Sequence, residues 1–67
     1  MSLETLFAKN IQERRLKKKW SQHDLADKVK CSVSYVSMLE HGKRAPTLDT
    51  IARFAKAFRV TAVDMLK

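Results

Sequence analysis

The chain predicts an all-α fold, a compact bundle of about five short helices. Three observations carry that prediction. Hydrophobic residues recur at helical spacing through most of the sequence. A Ser or Thr stands ahead of each such run, where an N-cap belongs. One Gly and one Pro in 67 residues exclude a loop-rich or β-rich design, and no stretch alternates as a strand would.

Taken in order, Leu3, Leu6, Phe7, Ile11 and Leu16 form the stripe of a first helix. Ser2 caps it, and it runs to about Lys18 with a basic end that suits the negative pole of the helix. Ser21-Gln-His-Asp24 reads as a capping box with Asp in place of Glu. The helix it opens turns Leu25, Ala26 and Val29 inward and stops near Val29, with Lys30 in the turn. A Lys at a left-handed turn costs about 1 kcal/mol relative to Gly. Ser32 caps a third helix, about residues 33–41, with Val36 and Leu39 inward and Gly42 as its C-terminal stop. Pro46 keeps the preceding residue out of helix. Thr47 caps a fourth helix, about 48–58, with Leu48, Ile51, Ala52, Phe54, Ala55 and Phe58 as a broad buried face. Thr61 caps a last short helix holding Val63, Met65 and Leu66.

At this length residues 1–67 make one domain, with a modest stability margin. A composition of 45% hydrophobic and 31% charged residues is that of a soluble globular protein. Cys31 is the single cysteine, so no internal disulfide is expected, which fits a reducing cytoplasm. No apolar run is long enough to span a bilayer, and MSLETLFAKN, with its early Glu4, is not a signal peptide. The excess of 14 Lys and Arg over 7 Asp and Glu, a formal charge of +7, suits a polyanionic partner, most commonly nucleic acid. Solubility charge or an anionic membrane surface would produce the same balance, and Arg14-Arg15 with Lys17-Lys18-Lys19-Trp20 would suit a basic surface helix.

The stretch from Trp20 to Leu48 discriminates among these. Two short helices joined by a tight turn, the second carrying an exposed polar face and followed by Gly42-Lys43-Arg44, form a unit able to lay one helix in a major groove and pin the flanking backbone. Arg14-Arg15, WSQHDLA, CSVSYVSMLEHGKRAPTLDT and IARFAKAFRVT, in that order, resemble the Cro/phage-repressor (lambda-repressor-like) helix-turn-helix family, which includes restriction-modification controllers and phage repressors. The likeness runs from about Phe7 to Leu66. Singly the pieces are common; together, at this spacing, they are specific.

The resemblance implies a five-helix bundle in which the second and third helices read duplex DNA. It places Ser34 and Met38 at base edges, Ser37 beside them, and Val33 near the duplex. It makes Gln22 a phosphate contact that also braces the reading residues, sets Lys43 and Arg44 near the backbone, and pairs Arg15 with Glu40 across two helices. Chemistry grades these roles. A Ser34 hydroxyl donates or accepts, so it discriminates loosely, and Val33 only packs on a thymine methyl. Lys43, Arg44 and the helix N-termini at Ser21-Gln22 and Ser32 would hold phosphates, which position without reading sequence. The sequence departs from the family at Lys30 and Arg59, where Gly is frequent, and at Val33 and Met38, where polar readers are common.

The remaining chemistry-bearing residues have plainer readings. His23 and His41 are far apart, and no His, Cys or Asp set has metal spacing, so neither metal nor cofactor is expected. His41 reads as a phosphate contact or as a helix-end cap. Cys31 reads as a small apolar filler, Trp20 as closing the core between the first two helices, and the Lys17-Lys19 run as a solvated face. No nucleophile–base pair or Gly-rich phosphate loop points to an enzyme or to a small-molecule ligand.

The expected function is therefore sequence-specific binding of double-stranded DNA in transcriptional control, usually repression. One module makes few contacts, so a homodimer on a palindromic operator is expected, its half-sites about 34 Å apart. Val60, Val63, Met65 or Leu66 would form the dimer surface or complete the monomer core. A module that binds a protein partner, such as an antitoxin, with DNA binding secondary, is the alternative from another class.

Overall fold

The structure is a computed structural model that describes residues 2–67. Four α-helices and one 3-10 turn follow along the chain: α1 (Leu3–Lys17), α2 (Gln22–Val29), α3 (Val33–Glu40), α4 (Leu48–Phe58) and the turn Asp64–Leu66. Among the described residues there is no strand. The predicted fifth helix is thus a single 3-10 turn. Thr61 and Asp64 do exchange reciprocal bonds there, at 3.0 and 3.1 Å, but the amides of Met65 and Leu66 return to Ala62 and Val63, three residues back, which is the 3-10 and not the α pattern.

Side chains close every α-helical N-terminus. Ser2 accepts from the Thr5 amide, Ser32 from Tyr35 and Thr47 from Thr50. Ser21 and Asp24 complete a capping box with two 2.9 Å bonds. The C-termini share a different device. Each α-helix is followed by a residue in the left-handed region: Lys19 (φ 60°), Lys30 (φ 63°), Gly42 (φ 68°) and Arg59 (φ 58°). The paired 6→1 and 5→2 bonds of a Schellman ending stand at Gly42-Lys43, reaching Leu39 and Met38 at 3.1 and 3.0 Å. The same pattern closes α1 through Lys19 and Trp20 and α4 through Arg59 and Val60. With one glycine available, three of the four left-handed positions carry Lys or Arg, at some cost in backbone strain. The departures at Lys30 and Arg59 therefore fall on left-handed residues, and Lys19 is a third that the sequence reading did not single out.

Phe7, Ile11, Leu25, Val36, Leu39, Phe54 and Met65 are fully enclosed and meet at the centre. Phe7 and Phe54 join α1 to α4 edge to face, with centroids 5.5 Å apart. Trp20 stacks on Phe58 at 5.5 Å and 18°, so the indole closes the core against α4 rather than between the first two helices. Three other expectations are corrected, and one open alternative is settled. Leu16 lies outside the α1 stripe, 58% exposed. Leu48, at the first position of α4, is 85% exposed, and Ala52, one turn on, is exposed too, so the buried face of α4 is narrower than its composition suggested. The third helix ends at Glu40, with His41 as its cap. Met65 is a core residue, which removes it from any surface.

Candidate nucleic-acid interface

The α2–α3 unit is assembled around a small turn. Lys30 reverses the chain in its left-handed conformation, and the Cys31 amide returns to the Ala26 carbonyl at 3.0 Å. Cys31 is half-buried against the core, and burial pushes its thiol pKa up, which keeps it protonated and apolar in behaviour. Ser32 then starts α3.

Val36 and Leu39 anchor α3 inward. Val33, Ser34, Ser37 and Met38 lie three and four residues apart on the other side and share one helix face. Val33 and Ser34 are exposed there, while Ser37 and Met38 are half-buried. The face combines one fully solvated hydroxyl, a second partly shielded one, and two apolar groups.

The far end of α3 is held by a polar clamp. Arg15 Nε donates to Glu40 Oε2 at 2.6 Å, and Nη2 donates to Oε1 at 3.0 Å. Nη1 of the same guanidinium donates to the Trp20 carbonyl at 2.9 Å. Gln22 Nε2 adds a bond to Glu40 Oε1 at 3.2 Å. The side chains of Arg15 and Glu40 are only 11% and 2% exposed. A bidentate pair, withdrawn from water and sharing its acceptor with a third residue, ties α1, the start of α2 and the end of α3 together. It fixes the tilt of α3 on the body.

The remaining phosphate candidates border α3. Gln22 commits one amide N–H to Glu40 and keeps a second for an outside acceptor. Ser21 accepts from the Asp24 amide with its hydroxyl oxygen and turns its hydroxyl proton to the Asp24 carboxylate, so it meets a phosphate only by giving up that bond. Its backbone amide, with its hydroxyl second, holds the Asp24 carboxyl below the usual carboxylate range. His41 Nδ1 stands 2.7 Å from the Ser37 carbonyl oxygen. That oxygen only accepts, so Nδ1 carries the proton, and Nε2 donates to a phosphate only when the ring is charged. Lys43 and Arg44 project from the exposed loop after Gly42.

Tyr35 was not among the candidates, yet it positions one of them. Its ring lies under Arg44, with the guanidinium carbon 5.7 Å from the centroid. Its hydroxyl bonds Thr50 Oγ1 at 3.0 Å, and Thr50 is in turn bonded to Thr47 at 3.0 Å. The loop cation is thereby referenced to the start of α4. The signal in the sequence was an aromatic residue on a short helix, next to the inward Val36, which spacing alone did not separate from core. His23 makes only an exposed pair with Asp27, at 3.4 Å.

A helix-turn-helix family model matches residues 11–65, and the chain belongs to that Cro/repressor-type family of DNA-binding transcriptional regulators. A hypothetical transcription factor from Neisseria is 32% identical, covers 98% of this chain and 76% of its own, and superposes with a TM-score of 0.93. The restriction-modification controller protein C.AhdI from Aeromonas hydrophila is 29% identical over 92% of this chain and 94% of its own, with a TM-score of 0.87. The clp gene regulator ClgR from Corynebacterium glutamicum shares the fold, with a TM-score of 0.90 over 98% of this chain and 70% of its own, at 23% identity. No curated protein sequence matches. No helix among the described residues is long and apolar enough to cross a membrane.

Proposed function

We propose that the chain is a repressor that binds a palindromic operator as a symmetric homodimer, with α3 of each protomer in a major groove and half-sites about 34 Å apart. Residues 1–67 act as one DNA-binding unit. Ser34 makes the polar base contact, aided by Ser37, while Val33 and Met38 supply apolar contacts of the kind a thymine methyl accepts. Lys43, Arg44, Gln22, Ser21 and protonated His41 hold phosphates on either side. With few directional groups on α3, discrimination leans on duplex shape as well as on base edges. The reading is supported above all by the outward face of α3, carried on a helix whose far end is clamped by the buried Arg15–Glu40 pair. The likeness to a restriction-modification controller adds support for a regulator of that kind. The last turn offers the dimer surface through Val63 and Leu66, 64% and 37% exposed.

Selection from random duplexes, followed by gel shift across salt concentrations, tests the assignment. Ser34→Ala should change the selected site more than the affinity for unselected DNA. Arg44→Ala should weaken binding to all duplexes and lower the salt slope by about one. An unchanged consensus for Ser34→Ala would remove α3 as the reader, and an unchanged slope would remove Arg44 from the backbone contacts.

A further inference from the structure

A groove of about 750 Å³ lies where the C-terminal ends of α2 and α4 meet the segment after α1. None of the residues assigned to the duplex lines it. Gln22 and the groove sit at opposite ends of α2, about 10 Å apart at the helical rise. Lys18, Lys28, Lys30, Lys56 and Arg59 surround it together with Arg53, so six of the chain's 14 cations gather there. Among the described residues Arg53 alone of the six holds a carboxylate, Asp49 at 3.2 Å. The floor is apolar, made by Val29, Ala57 and the Trp20 indole.

A second observation singles the rim out. Lys30 and Arg59 occupy left-handed backbone positions, at φ 63° and 58°. Glycine fits such positions better than any side chain. The chain carries three cations at left-handed positions, and two of them, Lys30 and Arg59, line this one groove. Strain of this kind is an indicator of function when it gathers at one place.

We propose that this groove docks a short acidic segment of a partner protein, one in which carboxylates flank an apolar side chain. The carboxylates meet the cationic rim, and the apolar side chain covers the floor. Charge complementarity names the sign of the occupant, and the floor names its second property, because a phosphate chain has nothing to place on Val29 and Ala57. The indole is already partly engaged: one face of Trp20 stacks on Phe58, and Lys28 Nζ stands 4.7 Å from the ring centroid, so the apolar side chain meets the floor at Val29 and Ala57 and the neighbouring indole reports its arrival. The regulator would thus hold DNA with α3 and an acidic protein segment at the opposite end of α2. This proposal does not rest on the operator-binding reading.

Lys30→Gly/Arg59→Gly tests it without endangering the fold, since both changes relieve backbone strain. The probes are a synthetic glutamate peptide with one central phenylalanine, octaglutamate, oligothymidylate and inorganic tripolyphosphate. Binding is read by anisotropy of labelled probes, by competition for tripolyphosphate, and by the emission of Trp20, the chain's single tryptophan. The phenylalanine peptide should bind more tightly than octaglutamate and shift the Trp20 emission. The double variant should melt no lower than the parent and bind that peptide about tenfold more weakly or worse, as rim charges are lost. Its salt slope on generic duplex DNA should stay as in the parent, whereas Arg44→Ala should lower that slope and leave peptide affinity alone. Unchanged peptide affinity in the double variant would reduce the cluster to helix-end charge and overturn the proposal. So would oligothymidylate or tripolyphosphate binding as tightly as the peptide with the same dependence on Lys30 and Arg59. A duplex salt slope that falls in the double variant would assign the groove to DNA instead.

Discussion

Glu40 carries more structural weight than any other single side chain near the interface. It is a buried acid that accepts from Arg15 twice and from Gln22 once. Removing one member of a withdrawn pair leaves the other charged and without a counter-ion, which costs more than the pair contributes. Glu40→Ala should lower the unfolding free energy by about 3 kcal/mol, measured by chemical denaturation. In a 67-residue domain that is a large part of the total. A variant that melts with the parent would show that the clamp does not hold the fold.

Helix ends, more than helix interiors, decide how the elements behave. Lys19 pays for its left-handed backbone outside both surfaces discussed above, so it isolates the cost of the shared C-terminal device. Lys19→Gly should add about 0.5–1 kcal/mol of stability. At about 4–8 °C per kcal/mol in a domain of this size, a thermal melt resolves the gain, and a lower melting temperature would show that the side chain does more than tolerate the turn. The N-terminal device is read by pH. Asp24 lies below its ordinary value of 3.8, first because the Ser21 amide bonds the carboxylate and next because the Ser21 hydroxyl does. A depressed carboxylate contributes stability that is fully present above that ordinary value and is lost as pH falls through the lower folded value. Melting temperatures of Asp24→Asn and the parent should therefore differ at neutral pH and converge in acid below the ordinary value. A constant offset down through the acid limb would rule the carboxylate out as the source. Asp64, held low by the Thr61 amide, repeats the arrangement at the other end of the chain and keeps some acid dependence in the variant.

For the molecule as a whole, a body of 26 × 23 × 21 Å carries a charge of +7, and much of that charge gathers away from the face proposed to meet DNA. So small a body reads a long site only in multiple copies. In the proposed homodimer, association contributes to stability, so the melting temperature should rise with protein concentration. Val63 is well exposed, so Val63→Asp should leave the protomer folded, abolish that concentration dependence and sharply weaken binding to a palindromic site. Sedimentation showing a monomer at every concentration, with and without the duplex, would remove the dimer.

Much of this was legible along the chain because it is local. Ser21, Ser32 and Thr47 announce their helices through a side chain that reaches an amide three residues on, and no distant residue is needed. The pattern from Trp20 to Leu48 likewise set the outward face of α3 and the basic loop after it, since periodicity places Val36 and Leu39 opposite Ser34 whatever surrounds them. Burial depends on neighbours that sequence does not list in spatial order. Leu48 satisfied the pattern of α4 and stands in solvent, while Met65, in a segment read as surface or core, fills the centre. Tyr35 under Arg44, Trp20 against Phe58 and the convergence of Lys18, Lys30 and Arg59 on one groove join residues far apart in the chain. Caps and periodicity act over one or two turns of backbone, and so the sequence by itself determined the four α-helices and the helix-turn-helix unit. Which side chains share a site depends on how those helices cross, and only the tertiary packing decided that.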